Sequence, residues 1–179
     1  MEQIPFPNKK YQIIYADPPW EAPTKECIAK KSTITGKDSF HYPSMTTTEI
    51  CELPIKEISD VNCLLFMWVR SPMLEEGLLV GKSWGFTFRT IAFVWYKQRT
   101  NPGHYTMSEC EICLVFKKGK IPTMGKHNIR QFLSEKRTEH SKKPQEIKDR
   151  IELMFPTQDK IELFARQKTK GWDVWGNEV

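Results

Sequence analysis

A short apolar run that stops abruptly at two prolines is the feature that most limits how this chain can fold. Residues 11–16 (YQIIYA) have the pattern of a buried strand, and Asp17-Pro18-Pro19-Trp20 follows at once. Proline lacks an N–H group and cannot continue a central ladder, so the strand must end there. In open α/β sheets, ligands bind in the crevice beyond the carboxyl ends of the strands. The pattern therefore predicts that this turn lies at a ligand-binding edge.

Strand and helix signals alternate along the rest of the chain, which predicts an α/β sheet in a single domain spanning residues 1–179. Further strands are predicted at 63–69, 86–96, 111–117, 128–133, 161–165 and 172–175, and helices at 46–53, 71–85 and 141–154. Residues 21–43 are polar and rich in lysine, which predicts a mobile loop at the active site. The chain has no Gly-x-Gly-x-x-Gly turn, which argues against a dinucleotide-binding enzyme.

Basic residues are concentrated in one part of the sequence. The net charge is +5, and residues 117–150 hold eleven basic and four acidic side chains. Such a stretch is either a solvated face or a surface that follows phosphate groups, and charge alone does not separate the two. The longest uninterrupted apolar run, residues 63–69, is too short to span a membrane, so no membrane partner is predicted.

The cysteines indicate a reducing compartment. They are five in number and scattered, at Cys27, Cys51, Cys63, Cys110 and Cys113. Together with an N-terminus that lacks an apolar signal region, they favour an intracellular, cytoplasmic location. Cys110 and Cys113 match a Cys-x-x-Cys pattern, but residues three apart on a strand face opposite sides of a sheet. No second pair accompanies them, and we predict no metal site.

The residue types of the turn suit chemistry on an amine. The N6 amine of adenine is a poor nucleophile, because its lone pair is delocalised into the ring. Asp17 can accept one amine hydrogen and the Pro18 carbonyl the other, which favours a pyramidal nitrogen with its lone pair aimed at a methyl donor. Proline fixes the direction of that carbonyl, and Trp20 offers a face on which an extruded base can stack. The predicted catalytic residues are Asp17, Pro18, Pro19 and Trp20; the alternative is a proline-stiffened turn with a buried tryptophan.

Motifs along nearly the whole chain resemble the adenine-N6 methyltransferases typified by the seventy-kilodalton catalytic subunit of the messenger-RNA adenosine methyltransferase, a family with small bacterial and phage members. In chain order they are IIYADPPW, HYPSM (41–45), LLFMWV, WGF (84–86), VWYK (94–97), GHY (103–105), EICLV (111–115), HSKKP (140–144), KIELFAR (160–166) and the terminal GW to GNE (171–178). The resemblance implies a Rossmann-like methyltransferase sheet, mostly parallel with antiparallel strands and with helices on both faces. The motif order is permuted, because the catalytic motif precedes the cofactor strand.

The resemblance also implies a cofactor and its contacts. S-adenosylmethionine would lie with its methyl-sulfonium end near the catalytic turn. Its predicted contacts are Asp17, Pro18, Phe164, Arg166, Lys168, Asn177 and Glu178. The predicted substrate contacts are His41, Tyr42 and Lys97, for which loop packing and a surface lysine are the alternatives.

The activity predicted is methylation of the N6 amine of adenine in a nucleic acid. Non-catalytic nucleic-acid-binding partner subunits occur in the family but tend to lose the Asp-Pro-Pro motif, which this chain retains. Methylation of cytosine N4 uses similar chemistry but more often has serine in place of Asp17. We expect no additional domain for reading a target sequence, as in the small bacterial and phage members, which favours DNA over RNA. A single small domain without its own recognition module could act as a homodimer or with a partner subunit.

Overall fold

The structure is a computed structural model, and it describes residues 4–21, 44–103, 105–137, 142–177 and 179. Its helices are α1 (Thr47–Glu52), α2 (Ile55–Ile58), α3 (Leu74–Ser83) and α4 (Gln145–Met154), with a 3-10 turn at Ser71–Met73. Its strands are β1 (Tyr11–Ala16), β2 (Ser59–Val69), β3 (Thr87–Asn101), β4 (Ser108–Lys118), β5 (Phe132–Ser134), β6 (Lys160–Leu163) and β7 (Asp173–Trp175). The loop predicted at 21–43 lies outside the described residues, apart from Glu21.

The strands form one sheet in the order β5-β3-β4-β2-β1-β6-β7. β1 pairs in parallel with β2 and β6, β6 pairs in parallel with β7, and β3 pairs in parallel with β5. β4 pairs antiparallel with both β2 and β3, so it runs against the other strands of the sheet. The predicted mixed sheet is thereby confirmed. The beginning of β4 reaches the same edge as the ends of the other strands, and we call this edge the carboxyl edge.

Side chains of β1 alternate between two buried cores. Ile14 belongs to a cluster that includes Ile50 of α1 and Val80 of α3. Tyr15 points to the opposite face, where its cluster includes Ile147 of α4. Because successive strand residues face opposite sides, the two clusters place α1 and α3 on one face of the sheet and α4 on the other. The prediction of helices on both faces is confirmed.

Helix α1 begins where the sequence predicts it. The Thr46 hydroxyl accepts a hydrogen bond from the Glu49 N–H at 3.2 Å, and the Glu49 carboxylate accepts one from the Thr46 N–H at 2.8 Å. This capping box satisfies two N–H groups that the first turn would otherwise leave unpaired. The indole of Trp84 then joins this helix to the end of α3, because it donates to the Ile50 carbonyl at 2.8 Å. Helices α1 and α3 therefore cover their face of the sheet as one connected layer.

Several element bounds differ from the prediction. β2 begins at Ser59 instead of residue 63, β3 continues to Asn101 instead of residue 96, and β4 begins at Ser108 instead of residue 111. These extensions are polar, and each pairs with one neighbouring strand only. A run of apolar residues therefore does not predict them. Helix α2 has only four residues, too few for a periodic signal. No described helix is long and apolar enough to cross a membrane.

Candidate active site

The ends of three adjacent parallel strands place the predicted catalytic and cofactor residues in one row. The last paired residues of β1, β6 and β7 are Ala16, Leu163 and Trp175. Asp17, Phe164 and Gly176 come next on strands spaced about 4.8 Å apart. The sheet thus brings the start of the catalytic turn beside the start of both segments predicted to hold the cofactor.

Backbone hydrogen bonds hold the catalytic turn on both sides. The Pro18 carbonyl accepts from the Trp20 N–H at 2.9 Å, and the Pro19 carbonyl accepts from the Met45 N–H at 2.8 Å. The Glu21 N–H donates to the Met45 carbonyl at 3.0 Å. A carbonyl oxygen has two lone pairs, so Pro18 can accept a further hydrogen in the direction that this turn fixes.

Trp20 is part of the core. Its side chain is 8% exposed, and its indole N–H donates to the Trp68 carbonyl at 3.2 Å. The Trp68 indole in turn donates to the Tyr15 hydroxyl at 2.6 Å. An indole buried in this way stabilises the turn and offers little open face. The base-stacking role predicted for Trp20 therefore finds no support in its exposure, whereas the turn-stiffening alternative fits it.

A chain of alternating charges lies against Asp17. Its Oδ2 atom is 2.7 Å from Lys143 Nζ, which is also 3.3 Å from Glu111 Oε2. The other oxygen of Glu111 lies 3.4 Å from Lys97 Nζ. The four side chains are between 7% and 26% exposed. Asp17, Lys143, Glu111 and Lys97 are called the catalytic cluster below.

Burial and the neighbouring charges shift the pKa values of three members of the cluster. Burial raises the pKa of Asp17 above its usual range, even though Lys143 opposes that change. Burial would lower the pKa of Lys143, but the charges of Asp17 and Glu111 outweigh burial and raise it. Burial would likewise raise the pKa of Glu111, but Lys143 and Lys97 outweigh burial and lower it. Lys143 and Glu111 therefore stay charged near neutral pH, and Asp17 is the carboxyl group whose protonation is most readily changed.

The segment after β6 is held in an unusual backbone conformation. Phe164 has a φ of 59°, in the left-handed region that bulky residues rarely adopt. Gly176 approaches this segment so closely that a Cβ atom on it would lie 2.4 Å from the Ala165 carbonyl oxygen. The Ala165 N–H donates to the Trp175 carbonyl at 3.0 Å and ties the two segments together. Strain of this kind persists where neighbouring contacts enforce it, often at functional sites.

The other predicted cofactor residues that the structure describes lie on the segments that follow β6 and β7. The charge of Arg166 opposes, more weakly than that of Lys143, the burial that raises the pKa of Asp17. Lys168 is exposed and lines a surface hollow of about 740 Å³ together with Tyr11 and Trp172. Asn177 is exposed in the turn that follows β7. Glu178, His41 and Tyr42 lie outside the described residues, so their predicted roles stay predictions.

A buried lysine anchors the segment that carries Arg166 and Lys168. Lys148 of α4 is 5% exposed, and its Nζ atom lies 2.9 Å from Glu162 Oε2 and 2.8 Å from Thr169 Oγ1. It therefore joins α4, β6 and the segment after β6 at one point. Sequence reasoning did not single out Lys148, because a lysine within an amphipathic helix is usually solvated.

We expect Lys148→Met to lower the free energy of unfolding by about 3–5 kcal/mol, since it leaves the Glu162 carboxylate buried without its partner. Urea denaturation at neutral pH measures the change. Lys82→Met, which removes an exposed lysine from α3, is the matched control and should change stability by about 0.5 kcal/mol or less. Equal stability of both variants would show that the Lys148–Glu162 pair does not hold this region together.

Sequence reasoning also missed two members of the catalytic cluster. Lys143 and Glu111 fall within segments that carry the family resemblance, yet neither was predicted to act in the site. Lys143 lies 126 positions from Asp17 in the chain, so no local spacing connects them. Lys97, predicted as a substrate contact, is 6% exposed and paired with Glu111, so what the structure shows is a support for Glu111. Among the described residues, no group of three or more His, Cys, Asp or Glu could hold a metal ion.

An acidic turn at the end of β1, beside the ends of two further parallel strands, agrees with the class of protein that sequence comparison defines, a methyltransferase with a Rossmann-like sheet. The chain belongs to the MT-A70 family, whose sequence profile matches residues 11–178. It is 47% identical to the type II methyltransferase M.MunI of a Mycoplasma species, over 97% of this chain and 80% of that protein.

Two human proteins are more distantly similar. The catalytic subunit METTL3, an N(6)-adenosine-methyltransferase, is 28% identical over 95% of this chain. The N(6)-adenine-specific methyltransferase METTL4 is 26% identical over 96% of it. The chain spans only 28% and 38% of the lengths of those two proteins, so the similarity concerns one part of each.

Proposed function

We propose that this protein transfers a methyl group from S-adenosylmethionine to the N6 amine of adenine in DNA. The observation that carries the proposal is the position of Asp17 in the catalytic cluster, at the carboxyl edge and in one row with Phe164 and Gly176. This arrangement places an acceptor for an amine next to the strand ends where α/β sheets bind nucleotide-like ligands.

The residues present fit S-adenosylmethionine. Asp17 supplies negative charge near a sulfonium, and Arg166, Lys168 and Asn177 are polar groups on the two segments after β6 and β7 that suit the ribose and adenine. The strained Phe164 backbone and the close approach of Gly176 support a role for these segments in binding, because contacts within the chain fix their conformation. When bound, S-adenosylmethionine supplies a methyl group on sulfur, and the C–S electron pair stays with the sulfur as the amine nitrogen forms its bond to carbon.

The catalytic turn prepares the amine for that bond. A carboxylate accepts through two oxygens, so Asp17 Oδ1 can accept one amine hydrogen while Oδ2 remains with Lys143. The Pro18 carbonyl can accept the second hydrogen through its remaining lone pair. Two acceptors on one side of the nitrogen localise its lone pair on the other side, and the low exposure of the cluster strengthens both hydrogen bonds. Asp17 then lies next to the proton that the methylated nitrogen must lose.

The relatives support the choice of amine and polymer. METTL3 and METTL4 are named for N6 methylation of adenosine and adenine. M.MunI, which is named a type II methyltransferase, matches nearly the whole of this chain at 47% identity. An adenine paired inside a duplex cannot reach Asp17, so the base must be extruded before transfer.

The test uses one nucleotide sequence in three forms. The purified protein is incubated with methyl-labelled S-adenosylmethionine and a long unmethylated duplex DNA, its heat-denatured strands, or its RNA transcript. Nucleosides are identified after digestion. We expect N6-methyl-2′-deoxyadenosine from DNA, with a poly(dG-dC) duplex as the control without adenine. Label in N4-methylcytosine, label only in RNA, or polymer binding without transfer would each contradict the proposal.

A further inference from the structure

The connection between β3 and β4 extends beyond the sheet. β4 pairs with β2 only from Ile112 onward, and β5 pairs with β3 no further than Tyr96. Beyond those pairings β3 and β4 continue together, with Trp95 opposite Glu111, Tyr96 opposite Cys110 and, after a register shift, Asn101 opposite Ser108, so they form a two-stranded ribbon. We call the described residues 97–103 and 105–111 the β3–β4 hairpin. At about 3.3 Å per residue, its five-residue arm (97–101) reaches at most about 16 Å past the carboxyl edge.

The base of the hairpin is joined to the active site. Lys97 and Glu111, which begin and end it, are members of the catalytic cluster. Gln98 has a φ of 51°, and its side chain donates to the Ser134 hydroxyl at 3.0 Å, so the ribbon bends at a residue that is held in place. A bend with this backbone conformation re-aims a strand and is typical of functional sites. The hairpin therefore has a set direction relative to Asp17.

The tip of the hairpin presents an aromatic ring to solvent. Tyr105 is 102% exposed, so burial in this chain does not account for it. The turn that carries it is tight, because a Cβ atom on Gly103 would lie 2.1 Å from the Thr106 carbonyl oxygen. A rigid, exposed aromatic ring provides a large contact surface with little conformational entropy to lose.

The surface next to the hairpin is basic. The N–H groups of Glu135 and Arg137 donate to the Tyr96 and Lys97 carbonyls at 3.2 and 3.3 Å, which places residues 135–137 along the hairpin base. Lys136 in this segment is exposed.

Arg99 is exposed on the hairpin itself. Of the acidic residues nearby, Glu109 is half-buried and accepts a hydrogen bond from the Thr100 hydroxyl at 2.8 Å. Glu135 is also half-buried. Exposed cations can contact the phosphate groups of a nucleic acid, and an exposed aromatic ring beside them can stack on its bases.

We propose that the β3–β4 hairpin enters the major groove of duplex DNA beside the target adenine, with Tyr105 contacting the bases next to it and Arg99 contacting phosphate. The proposal rests on the proposed function and deepens it. The major groove of B-form DNA is about 12 Å wide and admits a two-stranded ribbon. That of A-form RNA is deep and too narrow for side chains to read. When the adenine leaves the stack for Asp17, its neighbours lose a stacking partner, and the aromatic ring at the tip replaces it.

The experiment compares Tyr105→Ala and Tyr105→Phe with the wild-type protein on one DNA sequence, as duplex and as single strands. Both kcat/KM for methyl transfer and duplex affinity by fluorescence anisotropy are measured. We expect Tyr105→Ala to lower duplex kcat/KM and affinity about 10- to 100-fold, the value of stacking on one base. Tyr105→Phe keeps the ring and should stay within about twofold of wild type. Val61→Ala, an exposed position near the start of β2 on the opposite edge, is the matched control.

Measurements on single-stranded DNA distinguish the loss of a hairpin contact with duplex DNA from a general loss of activity. Single strands have no major groove for the hairpin to enter, so the loss caused by Tyr105→Ala should fall to about twofold. Equal losses on both forms, or wild-type values for Tyr105→Ala on duplex, would reject the hairpin proposal alone. A wild-type protein that transfers no methyl group would reject the proposed function. The anisotropy series then decides the hairpin separately: unchanged duplex affinity in Tyr105→Ala rejects it, and weakened affinity supports it.

Discussion

Replacing Asp17 with asparagine should lower kcat for methyl transfer about 100- to 1,000-fold, the usual effect of removing one preorganised polar group at the reacting atoms. Asparagine keeps the shape of the side chain but removes its charge and puts N–H₂ donors in place of one acceptor oxygen. With one acceptor oxygen instead of two, asparagine cannot accept hydrogen bonds from the amine and from Lys143 Nζ as strongly as aspartate does. Single-turnover rates with saturating S-adenosylmethionine and DNA measure the effect, and far-ultraviolet circular dichroism confirms that the variant is folded.

Asp159→Asn is the matched control for this variant. Asp159 pairs with Lys9 at 2.7 Å, and its side chain is 58% exposed just before β6, on the edge opposite the catalytic turn. Its removal should leave kcat within about twofold of wild type. If Asp17→Asn also kept nearly full activity, the assignment of Asp17 as the acceptor of the amine hydrogen would be wrong.

Replacing Lys143 with methionine should move the acid limb of the kcat/KM profile to higher pH. Asp17 must be ionised to accept the amine hydrogen, so activity is lost as pH falls through its pKa, which burial holds above the usual value of 3.8. Lys143 opposes that rise, and without it the pKa of Asp17 increases further. Loss of a charged hydrogen bond worth about 1.5–3 kcal/mol should also lower the rate at neutral pH about 10- to 100-fold. The measurement is kcat/KM across the acid range.

The neighbouring lysine provides the control for this profile. Lys142 precedes Lys143 and is exposed, so solvent and salt screen its charge from Asp17. We expect Lys142→Met to keep the wild-type acid limb. A limb that shifts equally in both variants would mean that overall charge, and not the contact between Lys143 and Asp17, sets the pKa.

Sequence patterns predicted most of the elements near the active site. β1 has the predicted bounds, because an apolar run followed by two prolines leaves no alternative end for a central strand. Helix α1 was predicted at 46–53, and the Thr46 and Glu49 side chains form a local cap at its start. Such signals depend on neighbours within a few residues, so one sequence contains all the information that they require.

The remaining features depend on contacts between distant parts of the chain. Lys143 meets Asp17 only because α4 and β1 pack together, and Lys97 meets Glu111 only because β3 and β4 pair. The role of Trp20 also depends on distant contacts, because the sequence alone does not distinguish a tryptophan that stacks on a base from one that packs in the core. Its burial depends on Trp68, 48 positions away.

Because β4 runs antiparallel to β3, the hairpin proposed to contact DNA can vary while the order of the strands stays the same. Neighbouring strands that are parallel need a long crossover connection. The antiparallel strands β3 and β4 are instead joined by a short turn beyond the carboxyl edge. Doubling the length of a flexible loop costs only about 0.6 kcal/mol. A ribbon of this kind can therefore be lengthened, shortened or exchanged while the strand that carries Asp17 keeps its neighbours. For engineering, the hairpin is a natural graft point at which target preference could be altered independently of the methyl-transfer chemistry.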